Sequence, residues 1–222
     1  MIANIFVDKS PFIKISSILF ILLPISLITG PFLSDLSVSL IGLFFIFFCT
    51  VKKNFSFFKN KFFYFFLILW FYLVLNSLFN NINIDSLKIS FFYLRFPIFV
   101  IACIYIIENN IKIVKFFYFS LVLCFSILML DGFFQKIFGY NLFGLKQFHQ
   151  NRISSFFGDE LVLGSYISKL SPLFFGLSMI FCRDNIKNHL FLIVTFILIN
   201  TLIFFSGERS SFFLFNLATV FV

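Results

Sequence analysis

Two short polar islands interrupt a chain that is otherwise almost entirely apolar: residues 151–160, Asn-Arg-Ile-Ser-Ser-Phe-Phe-Gly-Asp-Glu, and residues 207–211, Gly-Glu-Arg-Ser-Ser. Each holds one arginine, Arg152 or Arg209, and the whole chain has four arginines, with lysine as its default cation. A guanidinium offers a planar fork of donors that grips a phosphate through two bonds at once, which an ammonium cannot copy. Charge placed beside apolar runs is costly and marks a working surface, so these islands are the candidate site. The structural alternative for Arg209 is a local pair with Glu208 at a helix end. Arg152 has no acidic neighbour in sequence before Asp159.

Four carboxylates lie on or near the islands: Asp131, Asp159, Glu160 and Glu208. Asp159 and Glu160 invite comparison with a glycosidase pair, but adjacent helical residues point about 100° apart and do not face one another. As structural residues they would open the following helix, where negative charge offsets the dipole. Glu160 is also a candidate proton acceptor. Asp131 reads either as an interfacial helix cap or as a partner that orients an arginine or a sugar hydroxyl.

The elements that carry these residues are long apolar runs. Hydrophobic residues make up 61% of the chain, charged residues 12%, and the mean hydropathy is +1.07. That pattern predicts an all-α, polytopic transmembrane helical bundle and excludes a soluble globular fold. Spans are expected near residues 14–30, 35–51, 62–79, 89–107, 116–134, 161–181 and 190–206, about seven in all. An eighth starts at about 210 and stops inside the hydrocarbon. Residues 1–222 thus read as one membrane domain, the N-terminal part of a longer one whose C-terminal part is missing. The first run lacks a small-x-small cleavage site and is expected to stay as an uncleaved helix.

The formal charge is +8, yet the basic residues are dispersed between spans and line no single surface, so nucleic acid is not an expected partner. They favour one side instead. Lys9, Lys14, Lys52, Lys53, Lys59, Lys61, Lys112, Lys115, Arg183 and Lys187 share loops with the N-terminus, whereas the opposite loops hold only Lys88, Lys136, Lys146, Arg152 and Arg209. The positive-inside rule then puts the N-terminus in the cytoplasm and both islands on the periplasmic face of a bacterial inner membrane.

Two further cations fall within spans, Arg95 and Lys169, at depths of roughly 9 to 12 Å. Each is followed closely by a proline, Pro97 or Pro172. Either they snorkel to the headgroups, or they face a polar cavity where a broken helix is tolerated. On the sixth run, Ser165, Lys169, Pro172 and Gly176 recur at helical spacing beside Gly164, Ser168 and Ser171, which directs Lys169 into the bundle. Cys49, Cys103, Cys124 and Cys182 show no metal-ligand spacing and read as small core residues, and no metal or cofactor is expected. His189 reads as a solvated loop residue, and His149, three residues before Arg152, as a minor acid–base candidate.

Taken together, residues 131–135, Gly139-Tyr140-Asn141, Arg152 to Phe157 with Glu160, and Ser206-Gly207-Glu208-Arg209-Ser210 closing a hydrophobic span resemble the O-antigen ligase and O-antigen polymerase family of bacterial inner-membrane glycosyltransferases. The motif resemblance covers about residues 125–222; before that it rests on topology. It implies transfer of a glycan from undecaprenyl diphosphate to an acceptor hydroxyl, on the lipid A core for a ligase or on another lipid-linked repeat for a polymerase. By matching motif, Arg152 and Arg209 would hold the diphosphate and the Asp159/Glu160 region would lie near the sugar. Asp131, Glu208, Arg95 and Lys169 are further substrate-binding candidates from the residues themselves. The family carries further functional residues in a later periplasmic loop, so this stretch by itself is expected to be inactive. Two other readings stay open: a transporter or flippase for an anionic lipid or solute, with Arg95 and Lys169 along its path, and a non-catalytic membrane subunit.

Overall fold

The computed structural model describes residues 10–80, 84–147, 152–181 and 186–220. Every regular element among them is helical, and an isolated bridge pairs Tyr140 with Lys146. Among the described residues, five segments are long and apolar enough to cross a membrane: Pro11–Ile28, Pro31–Lys52, Lys61–Phe79, Ile84–Asn109 and Lys112–Phe138. The chain is thus all-helical, with a composition and helix lengths compatible with a membrane protein. The other two expected spans form helices, but one carries Lys169 and several serines, and the other contributes a shorter apolar stretch, Leu190–Ser206.

Contacts group the residues into two units, Met1–Ser26 with Pro31–Val114, and Leu27–Gly30 with Lys115–Val222. The first contains α1 (Pro11–Ile28), α2 (Pro31–Lys52), α3 (Lys61–Asn80), α4 (Ile84–Phe92) and α5 (Arg95–Asn109). Pro11 and Pro31 open their helices, where the missing N–H would have had no partner anyway. The expected fourth span is two helices, α4 and α5, separated by a turn at Tyr93 and Leu94. Pro97 therefore sits in the first turn of α5 and breaks no helix interior. The core of this unit is apolar and aromatic, with Ile41 and Phe45 of α2 against Ala102, Tyr105 and Ile106 of α5. Helix α3 keeps none of its apolar length buried, a surface suited to hydrocarbon.

The second unit is built on α6 (Lys112–Phe138), α7 (Leu163–Phe181), α8 (Ile186–Ser206) and α9 (Arg209–Thr219). Aromatic rings join them: Phe125 of α6 lies 4.8 Å from Phe174 of α7, and Phe196 of α8 lies 5.3 Å from Phe215 of α9. Asn200 and Asn216 exchange side-chain amide bonds at 3.2 and 3.4 Å, fastening α8 to α9 within apolar surroundings. Pro172 lies inside α7 and deprives the Ser168 carbonyl of its usual donor; the Ser171 hydroxyl donates to that carbonyl at 3.0 Å and repairs the loss locally.

Candidate functional site

Helix α6 runs past the expected end of its span, and its last turns hold two fully buried polar side chains, Asp131 and Gln135. They organise the loop that follows. Asp131 accepts from the Leu142 backbone N–H at 2.8 Å and from the Ser155 hydroxyl. Gln135 Oε1 accepts the Ser154 and Ser155 N–H groups at 3.0 and 2.7 Å. Asn141, also buried, donates to the Ser155 carbonyl and accepts the N–H groups of Phe143 and Leu145. A buried polar group without a partner costs about 1–3 kcal/mol, so this network pins the loop residues 139–147 and 152–157 to α6. Among the described residues Asp131 makes no ion pair with an arginine. It is an internal anchor.

The anchored loop delivers Arg152. Its Nε donates to the Ser206 carbonyl at 3.0 Å, and the next residue, Ile153, donates its N–H to Phe205 O at 3.2 Å. These bonds bring the first island onto the end of α8, where the second begins. Gly207 stands there with φ +72°, and a Cβ built on it would lie 2.6 Å from Arg152 Nε. Glycine is required at this point both for the backbone angle and for the room beneath the arginine. Arg152 is half-buried, and its two terminal nitrogens have no partner among the described residues.

Glu208 occupies the N-cap position of α9 but makes no side-chain bond to the backbone of that helix. Its carboxylate instead accepts the first free N–H groups of α7, from Gly164 at 2.7 Å and Ser165 at 2.9 Å, together with the hydroxyls of Ser165 at 2.6 Å and Ser211 at 2.8 Å. The negative charge thereby meets the positive end of the α7 dipole. Gly164 makes the approach possible, since a Cβ there would come within 2.6 Å of Ser206 Oγ and 3.0 Å of Glu208 Oε1.

This geometry corrects several expectations. Asp159 and Glu160 do not open α7, which starts at Leu163; both are exposed in the turn before it, and the counter-charge comes from Glu208. Glu208 does not pair with Arg209, because among the described residues the ion pairs are Lys88–Asp85 and Arg95–Asp35. Lys169 is exposed on α7 and does not point into the bundle, whereas Gly164, Ser168 and Ser171 on the adjacent stripe are buried. Arg95 donates from Nη2 to Asp35 of α2 at 2.8 Å, a partner that no local pattern announces. Cys49 and Cys124 are buried and Cys103 partly so. His149, Asn151, Cys182 and Arg183 lie outside the described residues.

Arg209 is exposed at the first position of α9 and lines a cavity of about 380 Å³ with Ile203, Phe204, Gly207, Glu208 and Phe212. A cation at a helix N-terminus opposes the dipole, so this placement is not one that helix stability selects. Arg152 thus rests on the Ser206–Gly207 backbone and Arg209 opens α9 two residues further on, beside a helix N-terminus whose dipole favours an anion, whereas the start of α7 is already met by Glu208. Among the described residues no group of three or more His, Cys, Asp or Glu side chains could hold a metal ion. No protein-family model matches the chain, and neither does any curated protein or solved structure.

Proposed function

We propose that this chain is a membrane glycosyltransferase of the O-antigen ligase or polymerase type. It takes a glycan from an undecaprenyl diphosphate carrier and joins it to a hydroxyl of the lipid A core or of another lipid-linked glycan. In this reading the N-terminus is cytoplasmic, α7 and α8 complete about seven spans, and the two islands work at the periplasmic face of a bacterial inner membrane. The observation that carries the proposal is the meeting of Arg152 with the Ser206–Arg209 segment. Arg152, from a distant part of the sequence, is held against Gly207, two residues before Arg209, with its terminal nitrogens unpaired among the described residues.

Breaking the bond between sugar and diphosphate develops negative charge on the leaving group. Fixed guanidinium donors in a water-poor cleft stabilise that charge where screening is weak. Glu160, exposed before α7, is the candidate acceptor for the hydroxyl proton, and Asp159 lies beside it near the sugar.

The test is transfer from a lipid-linked glycan by the full protein in membranes. Arg152→Ala and Arg209→Ala are each expected to lower transfer by about 10²–10³, the usual consequence of losing one preorganised donor, while the protein still inserts and accumulates. Wild-type transfer by both variants would reject the assignment.

A further inference from the structure

We infer that Glu208 is a positioning residue: it clamps the start of α9 to the start of α7 and so sets the place of Arg209, and it does not bind substrate. The inference rests on the reading of Arg209 as a diphosphate ligand. Four hydrogen-bond donors converge on the Glu208 carboxylate. Oε1 takes the Gly164 N–H, and Oε2 takes the Ser165 N–H and the hydroxyls of Ser165 and Ser211. Four donors fill most of the accepting capacity of one carboxylate and leave it little to offer a sugar hydroxyl.

The clamp joins elements that are far apart in sequence. Two donors belong to the first turn of α7, one to the Ser165 side chain and one to the first turn of α9, while Glu208 itself precedes Arg209 by one residue. Holding Glu208 therefore fixes the backbone from which Arg209 leaves. The segment is held from the other side as well, because the Ser206 carbonyl receives Arg152 Nε. One short stretch, Ser206 to Arg209, thus sets the spacing of the two guanidinium groups.

A cradle composed of donors makes a specific demand on its occupant, and that demand supplies the test. Glu208→Ala removes the equivalent of one acetate ion and leaves the donors in place. In the full protein, purified in detergent, backbone amide exchange at Gly164, Ser165 and the first turn of α9 is expected to rise at least about tenfold in this variant. Affinity for farnesyl diphosphate, a soluble probe, is expected to fall roughly tenfold to a hundredfold, as loss of bonds to a charged group implies. Added acetate, compared with chloride at equal ionic strength, is expected to restore both. The double variant Glu208→Ala, Arg209→Ala is expected to bind no more weakly than Arg209→Ala, because one effect passes through the other.

Glu208→Gln preserves shape but turns an amide N–H₂ toward the donors, so it is expected to lie between wild type and Glu208→Ala, and it serves where the alanine variant does not accumulate. Unchanged exchange at Gly164 and Ser165, no restoration by acetate, or multiplicative losses in the double variant would each overturn the clamp. Wild-type binding of the probe by Arg209→Ala alone would instead defeat the diphosphate reading. The clamp would then stand or fall on exchange and acetate restoration.

Discussion

The two units solve the problem of an apolar chain in opposite ways. In the first, cohesion comes from volume: Phe45, fully buried, lies within ring contact of Phe48, Phe57, Phe58 and Tyr105, and an inter-helix ion pair, Arg95–Asp35, sits at a partly exposed edge. In the second, buried carboxylate, amide and hydroxyl groups hold a loop and two helix starts in fixed register. Aromatic packing is tolerant of small shifts, whereas a donor–acceptor network has a narrow geometric optimum. A region that must keep two arginines at a set separation benefits from the second kind of construction. A unit that carries no such pair does not need it.

Substitutions of graded severity can break or sharpen this contrast. The largest effect is expected from Phe45→Ala, a cavity in the first unit that costs about 3–5 kcal/mol, read as a fall in the thermal midpoint in detergent. Asp131→Ala strands the Leu142 N–H and the Ser155 hydroxyl and is expected to cost roughly 2–4 kcal/mol, with amide exchange rising over residues 139–157 and not in α2 or α5. Asp131→Asn can accept from Leu142 while donating to Ser155, so most of that loss should be recovered. Gly164→Ala drives a methyl group against Ser206 and Glu208 and is expected to cost about 1–3 kcal/mol, accompanied by weaker diphosphate binding. The smallest effect belongs to Arg95→Gln, about 0.2–1 kcal/mol for a partly exposed pair and reduced further by salt. An Arg95→Gln loss larger than that of Asp131→Ala would reverse the comparison.

The helical class and the approximate places of the apolar helices are legible in the residues themselves, because a run of hydrocarbon side chains has few other solutions. The concentration of chemistry in the two islands is legible for the same reason, as charge stands out against that background. What the residues do not reveal is which side chains meet. On α7 the small and polar stripe of Gly164, Ser168 and Ser171 is visible in the sequence and is buried, but Lys169, one position round from Ser168, faces outward, a difference the residue types alone do not give. Asp159 and Glu160 have the right sequence position to open α7, but the donors there are taken by a carboxylate from another helix start. The break between α4 and α5 is likewise hidden, since Tyr93 and Leu94 are as apolar as their surroundings and only the following Pro97 hints at a new first turn. Glu208-Arg209-Ser210-Ser211 contains one recoverable local signal, the spacing of three between Glu208 and Ser211.

The Glu208 contact also orders events in time. Gly164 precedes its acceptor by 44 residues, so α7 is synthesised before the group that completes its first turn exists. At about 5–20 residues per second, a ribosome needs roughly 2 to 9 s to bridge that interval. During those seconds the opening N–H groups of α7 need another acceptor, such as water, until the start of α9 emerges with the carboxylate that claims them.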